Sequence, residues 1–542
     1  MVLHVLEPRA MQSCLIGIPS RDVRLLICFF LILPASFILW QNLLNVDAVR
    51  YPGFVKMQGR ASSSPSSGKS TYKVGDGSDA KRLLYDLLAP GFEEESCLSR
   101  YRSGFFRKIS SHRPSSALIK RLREYEKLHI LCGPHTEIFN QTLAQLKEHQ
   151  STYSSECKYI VWTAYNGLGN RILTIASAFA YALLTNRVLL IEQDEDMTGL
   201  FCEPFPNVSW LLPPGFPVDT GKLSTSHPFR YDHIVENLIP GSPDFVYLYL
   251  SHDLDNSDMF LFCGDYQTPL LDVNWLIIKS DVYFIPSLFQ IPAFEVVLEN
   301  LFPDKETVFH HLGRYLFHPS NQVWRMVTRY YSAYMSETDE TLGIQIRVLG
   351  PSINPMTFVL DQILSCTQKE HLLPPLADKN SVKSELKKSS KSVLVTSLYQ
   401  GYYDQLKDMY WKKATITGEV ISFHQPSHEQ TQQFGNRMHN VKALSEIYLL
   451  SLCDNLVTTA WSTFGYVAQG LGGIRPWILL KPHGQFLQTP CRRALSMEPC
   501  FLMPLNIHCK TKLAAETSSK PSFLGTCEDL TLGTKLFGNL NS

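Results

Sequence analysis

The run Asp454–Gly473, DNLVTTAWSTFGYVAQGLGG, constrains the fold more than any other stretch of the chain. Leu456, Val457, Thr458 and Thr459 read as a short buried strand, and Trp461, Ser462 and Thr463 as a polar turn. Phe464 to Leu471 reads as the first turns of a helix, which Gly472 and Gly473 stop. A strand that enters a helix through a Ser/Thr turn leaves backbone N–H groups without helical partners. Those amides, the two hydroxyls and the helix dipole together favour an anion, most often a phosphate. In an open α/β sheet such turns lie at the carboxyl ends of strands, where ligands bind. A well-capped turn without a ligand has the same local signature, so other segments must decide between the two.

A second unit of this kind lies upstream. Tyr159–Trp162 reads as a strand, Gly167-Leu-Gly-Asn-Arg171 as a tight turn, Ile172–Leu184 as a helix and Arg187–Glu192 as the next strand. Gly167 and its neighbours would let backbone amides approach a substrate, with Asn170 and Arg171 supplying polar contacts. A plain tight turn is the alternative. Asp281 follows the apolar run Trp275–Ile278 and stands beside aromatics at a strand end, a place suited to a general base or, more plainly, to a turn cap.

In the last third, Leu342–Val348 reads as a strand whose single charge, Arg347, lies near its end. Arginine offers a two-pronged contact to phosphate and keeps its charge at physiological pH. Ser392–Ser397 is a second strand, Met356–Thr367 a helix between the two, and Asn440–Leu452 a helix before the opening motif. The alternation makes a second Rossmann-like half. Arg347 and Ser462-Thr463 then flank one cleft, a diphosphate site that needs no metal. The acidic pairs Asp194/Asp196 and Asp253/Asp255 stand in polar, loop-like contexts, and no CxxC spacing marks a zinc site, so no metal is expected.

The chain of 542 residues has room for two such domains and more. Its 50 basic and 50 acidic side chains cancel, which gives no charge argument for a nucleic-acid partner. Leu25–Leu44 has the length of a membrane-crossing helix and holds no charge. Arg9, Arg21 and Arg24 precede it, which places the N-terminus in the cytosol and the remainder in a lumen. Of the 13 cysteines, Cys14 and Cys28 lie in the tail and anchor. The rest face an oxidising compartment, where most should pair and at least one is left over. Asn140 and Asn207 head glycosylation sequons. The expected layout is a cytoplasmic tail (1–24), a signal-anchor (25–44), a flexible stem (45–79), two α/β domains (80–335 and 336–510) and a C-terminal extension (511–542).

The motifs GFEEESCLSRY (91–101), YNGLGNRIL (165–173), SDVYFIPSLF (280–289), GIQIRV (343–348), HQPSHE (424–429), TTAWSTFGYVAQGLGGIRPWIL (458–479) and SMEPCF (496–501) together resemble the plant xyloglucan α-1,2-fucosyltransferase family. The resemblance runs from about Leu83 to about Cys509. It implies Golgi type II membrane enzymes of GT-B fold, with two Rossmann-like domains facing a cleft, the first on the acceptor side and the second binding the donor. It implies GDP-fucose as donor, inversion at the fucose carbon, and transfer to a glycan hydroxyl. It assigns Arg347 to the donor phosphates, suggests Trp461, Ser462, Thr463, Phe464, Gly167 and Asn170 around the donor, and makes Asp281 the candidate base. Homodimerisation is left open. The chain departs from the family pattern at Val348-Leu-Gly after Arg347 and at LMPLNIHC (502–509), which bears on the acceptor more than on activity. A galactose of xyloglucan is the expected acceptor, with arabinogalactan-protein or pectic glycans as alternatives. An inactive glycan- or nucleotide-binding Golgi protein is the competing reading from another class.

Overall fold

The computed structural model describes residues 84–107, 110–149, 155–236, 243–253, 257–348, 356–377, 389–481, 489–504 and 521–538. The expected tail, anchor and stem lie outside the described residues.

The first sheet comprises β1 (Lys158–Thr163), β2 (Arg187–Ile191), β3 (Val246–Leu250) and β4 (Trp275–Ser280), all parallel, in the order β2-β1-β4-β3. These strands are nearly continuous apolar runs because helices and loops bury both faces of a parallel sheet. Around it lie α1 (Ser116–Cys132), α2 (Glu137–Lys147), α3 (Leu168–Thr185), α4 (Pro292–Leu301) and α5 (Val308–Leu316), while α6 (Asn321–Tyr334) packs against the helix Arg437–Leu450 of the second lobe. The Ser115 hydroxyl caps α1 by accepting the Leu118 N–H at 3.0 Å.

The second sheet comprises β5 (Glu340–Ile346), β6 (Ser390–Ser397), β7 (Val420–His424), β8 (Asn455–Thr459), β9 (Trp477–Leu479) and β10 (Cys491–Arg493). Their order is β10-β9-β8-β5-β6-β7, parallel except for β10. Its helices are α7 (Met356–Lys369), α8 (Gln400–Lys412), α9 (Arg437–Leu450) and α10 (Thr463–Gly472). The chain closes with a small hairpin, β11 (Leu524–Thr526) and β12 (Thr534–Leu536). Two parallel α/β lobes thus face one another, which is the GT-B-like arrangement.

Three local expectations change. Helix α3 begins at Leu168, with Gly167 as its N-cap, so Gly169, Asn170 and Arg171 form its first turn and not a loop. The turn itself is made by Asn166, in the left-handed region at φ 60°, and Gly167. Strand β5 stops at Ile346, which makes Arg347 the first residue beyond its carboxyl end. β3, β7 and α8 were not anticipated. β7 is an edge strand with mostly half-exposed side chains, so it carries no continuous apolar signal.

Helix α3 is long and apolar enough to cross a membrane, but it is buried in the protein. It belongs to a core that also takes in α5, α9 and α10, so one apolar layer runs beneath both lobes. Among the described residues, disulfides join Cys97–Cys202, Cys132–Cys157, Cys366–Cys491 and Cys500–Cys527. Cys263 is also disulfide-bonded, and Cys453 is a buried free thiol, in line with the expectation that at least one cysteine is left over.

Candidate active site

A cleft of about 540 Å³ opens where the carboxyl ends of β1, β4, β5 and β8 meet the first turns of α3 and α10. On the second-lobe wall, β8 passes through Trp461, at φ 61°, to Ser462, the N-cap of α10. Ser462, Thr463 and Phe464 line the cleft, so the positive end of the α10 dipole faces it. The side chain of Thr459 stitches β8 to β5. It donates to the Gln345 carbonyl at 2.9 Å and accepts the Arg347 N–H at 2.8 Å. That pins the Arg347 backbone at the cleft, while its Nη2 donates to Gln432 Oε1 at 2.8 Å. Arg347 and the α10 N-terminus thus line the same cleft, two elements that attract the same anion.

The two lobes touch at this point. Thr463 Oγ1 donates to Asn170 Oδ1 at 2.9 Å, and Asn170 Nδ2 donates to the Asp281 carbonyl at 2.9 Å. A Cβ on Gly169 would stand 2.8 Å from the Phe464 nitrogen and the Thr463 carbonyl carbon. The glycine lets the first turn of α3 lie against the first turn of α10, so two helix N-termini converge on one cavity.

On the first-lobe wall, β4 delivers Asp281 and β3 delivers His252. Leu250 pairs with Ser280 in register, which sets the two residues side by side. Asp281 Oδ1 accepts the His252 N–H at 3.0 Å, and Oδ2 accepts the Asn166 amide and pairs with His252 Nδ1. The Asp281 side chain is fully buried, whereas 58% of the His252 side chain is exposed. The carboxylate thus orients the imidazole, and both residues line the cleft.

Other candidates fall elsewhere. Arg171 does not line the cleft. It is buried, pairs with Asp196 at 2.5 Å and Asp194 at 3.3 Å, and donates from Nε to the Asn166 carbonyl at 2.8 Å. Its job is to brace the turn that carries Asn166, and it accounts for one of the two acidic pairs weighed as metal ligands. Asp253 accepts the Tyr249 hydroxyl at 2.7 Å, and Asp255 lies outside the described residues. The site also contains groups that the sequence reading passed over: His252, Asn166, Gln432 and Glu446. Glu446, on α9, accepts both the N–H and the hydroxyl of Ser427, at 3.1 and 2.7 Å. Burial pushes its carboxyl up to about 7, against the lowering effect of those two bonds.

The chain matches the xyloglucan fucosyltransferase family over residues 57–510. The chain belongs to that family. It is 51% identical over 465 residues to the galactoside 2-alpha-L-fucosyltransferase of Pisum sativum, covering 84% of this chain and 82% of that protein. It is 52% identical over 467 residues to the protein of the same name from Arabidopsis thaliana, covering 84% and 83%. A solved structure of a point mutant of Arabidopsis thaliana FUT1 in complex with GDP superposes with a TM-score of 0.78 at 52% identity, covering 84% of this chain and 99% of that one.

In this fucosyltransferase the cleft gathers Arg347, Ser462, Thr463, Phe464, Trp461, Gly167, Asn170 and Asp281, all of which the sequence had singled out. Asn140 and Asn207, which head the two sequons, are both exposed, Asn140 on α2 and Asn207 in a left-handed turn.

Proposed function

We propose that this fucosyltransferase moves fucose from GDP-fucose to a galactose O-2 of xyloglucan, with inversion at the fucose carbon. The observation that carries the reading is the division of labour across the cleft: a cation and a helix N-terminus on one lobe, a buried carboxylate paired with an exposed imidazole on the other. Arg347 would grip the diphosphate, with Ser462, Thr463, Phe464 and the α10 N-terminus around it. As the bond between fucose C1 and the phosphate oxygen breaks, the departing GDP gathers negative charge, which those groups stabilise. The acceptor hydroxyl attacks C1 from the opposite face. Its proton passes to His252 Nε2, and Asp281 stabilises the imidazolium that forms. Asp281 thereby keeps its place in the base function, acting through His252. Gly167 and Asn170 shape the floor between donor and acceptor, and Trp461 covers the donor's edge.

The charge balance is met by side chains and backbone, so turnover is expected without a divalent ion. Among the described residues two groups have metal-ligating composition, His112 with Asp304 and Glu306, and Cys500 with Cys527 and Asp529; the two cysteines are joined in a disulfide, and none of the six lines the cleft. A Golgi membrane setting, with residues 25–44 as a type II anchor and glycans on Asn140 and Asn207, agrees with the disulfides and the exposed sequons.

The test is GDP release by the part beyond the stem (residues 80–542) in EDTA, with and without fucose-free xyloglucan. Release that requires xyloglucan supports the reading. Release only with an arabinogalactan-protein or pectic glycan keeps the chemistry and moves the acceptor. GDP binding without release on any glycan refutes catalysis and favours a binding protein.

A further inference from the structure

The hairpin formed by β11 and β12 lies beyond residue 510, where the family match ends, yet it reaches the donor wall. It is fixed to the body at three points. Cys527 is bonded to Cys500, Phe501 and Thr534 exchange backbone hydrogen bonds at 2.8 and 2.9 Å, and Glu528 accepts the Leu495 N–H at 2.7 Å. Between these anchors stands Asp529. Its Oδ2 accepts the Trp461 N–H at 2.9 Å and the Tyr466 hydroxyl at 2.5 Å, and its carbonyl accepts the Trp461 indole N–H at 2.7 Å. Lys481 Nζ lies over the Trp461 ring, 3.0 Å from its centre.

Trp461 needs such support. Its left-handed backbone is costly for a bulky side chain and is held only where surrounding contacts dictate it. That same conformation turns the chain from β8 into the N-cap of α10, and so decides where the Ser462 and Thr463 groups point. By taking the Trp461 N–H, Asp529 closes the outer side of the turn. By taking the Tyr466 hydroxyl from the first turns of α10, it ties the helix to the same oxygen.

We infer that Asp529 is a positioning residue of the donor site, and that residues 521–538 are a strap that sets the Trp461–Thr463 turn for the donor diphosphate. The inference rests on the donor assignment made above and extends it to a segment outside the family's matched span. The carboxylate touches neither donor nor acceptor. It acts through Trp461 and Tyr466, so its loss should register on the donor and spare the acceptor.

The test uses the full chain in detergent. GDP binding is measured by calorimetry, and initial rates are measured with GDP-fucose and xyloglucan varied in turn, for the wild type, Asp529→Ala, Asp529→Asn and Tyr466→Phe. Asp529→Ala should raise the KM for GDP-fucose and weaken GDP binding about tenfold, the scale expected for charge-assisted bonds to one carboxylate. The KM for xyloglucan should stay at the wild-type value. Asp529→Asn and Tyr466→Phe, which preserve shape, should give smaller changes on the donor side only, and they decide the matter if Asp529→Ala does not fold. Donor parameters unchanged in those two variants, or donor and acceptor KM rising together, would overturn the inference while leaving the donor assignment intact. A wild-type chain that binds no GDP would remove the donor assignment, and the inference with it.

Discussion

Replacing Gly169 with alanine sets two effects against each other in one residue. Gly169 lies in the first turn of α3, and alanine is favoured over glycine in a helix by about 1 kcal/mol, so propensity alone predicts a more stable protein. The structure predicts otherwise. The added methyl would meet the Phe464 nitrogen, the Thr463 carbonyl carbon and Thr463 Oγ1, each at 2.8 Å, where ordinary contact begins at 3.4 Å. Two of the three atoms are backbone, so no rotamer relieves the overlap and the first turns of α3 and α10 must separate by roughly half an ångström. Overpacking of this kind costs about 1–3 kcal/mol, which cancels or exceeds the propensity gain. Stability should therefore change little, by about 2 kcal/mol at most. Activity should change much more, because the separation stretches the Thr463–Asn170 hydrogen bond and re-aims the donor turn. A displacement approaching 1 Å at a reacting site can cost about a hundredfold in rate. Gly169→Ala is expected to lose at least about tenfold in kcat/KM for GDP-fucose, while its melting temperature stays within a few degrees of wild type. GDP release and thermal melting measure both. A higher melting temperature with unchanged kcat/KM would show that the two helices do not meet as described and would refute the argument.

Other perturbations separate the parts of the site. Arg347→Lys keeps the charge but loses the fork, and should lower kcat/KM by about a hundredfold with an unchanged far-ultraviolet CD spectrum; near-wild-type activity would move the phosphate site elsewhere. His252→Ala and Asp281→Asn should each lower kcat strongly, and the double variant should be little worse than the more severe single one if the pair acts as a unit; additive losses would separate their roles. Glu498 is buried, accepts from the Tyr283 hydroxyl and the Phe309 N–H at 2.6 Å each, and has its carboxyl pushed by burial from 4.5 up to about 8. A carboxyl raised on folding stabilises the protein below the unfolded value, and that stability is lost as pH rises through the folded value. The protein should therefore lose about 2 kcal/mol between pH 6 and 8 from this group, and Glu498→Gln should flatten that slope in denaturant titrations; an identical slope would assign the pH dependence to other groups. Turnover should be the same in EDTA as in added manganese or magnesium, and a strict metal requirement would refute the charge balance drawn from Arg347 and α10.

What the sequence disclosed, and what it hid, follows from how far apart in the chain the cooperating atoms lie. The β8–turn–α10 unit was legible because its determinants are contiguous: an apolar strand, a Ser/Thr turn, an apolar helix and the stop at Gly473, which adopts φ 69°. Arg347 was legible as the single charge near the end of an apolar run, and Asp281 as a lone carboxylate just beyond one. His252 was not, because its meaning depends on β3 lying next to β4 in register, a pairing between segments about thirty residues apart that local pattern does not encode. Asn166 and Gln432 were hidden in the same way, since each is read only through the charged partner it holds. Arg171 was misplaced for the converse reason. A charge beside a glycine turn suggests a ligand contact, yet one helical turn aims it away from the cleft toward Asp194 and Asp196. Asp529 is the extreme case, with 68 residues separating it from Trp461 and nothing in the hairpin's own sequence to mark it. The groups whose type is conspicuous at a strand end or helix start are therefore the readable part of this enzyme. The groups that aim them are supplied by topology, and a model of specificity in this family has to begin from those second partners.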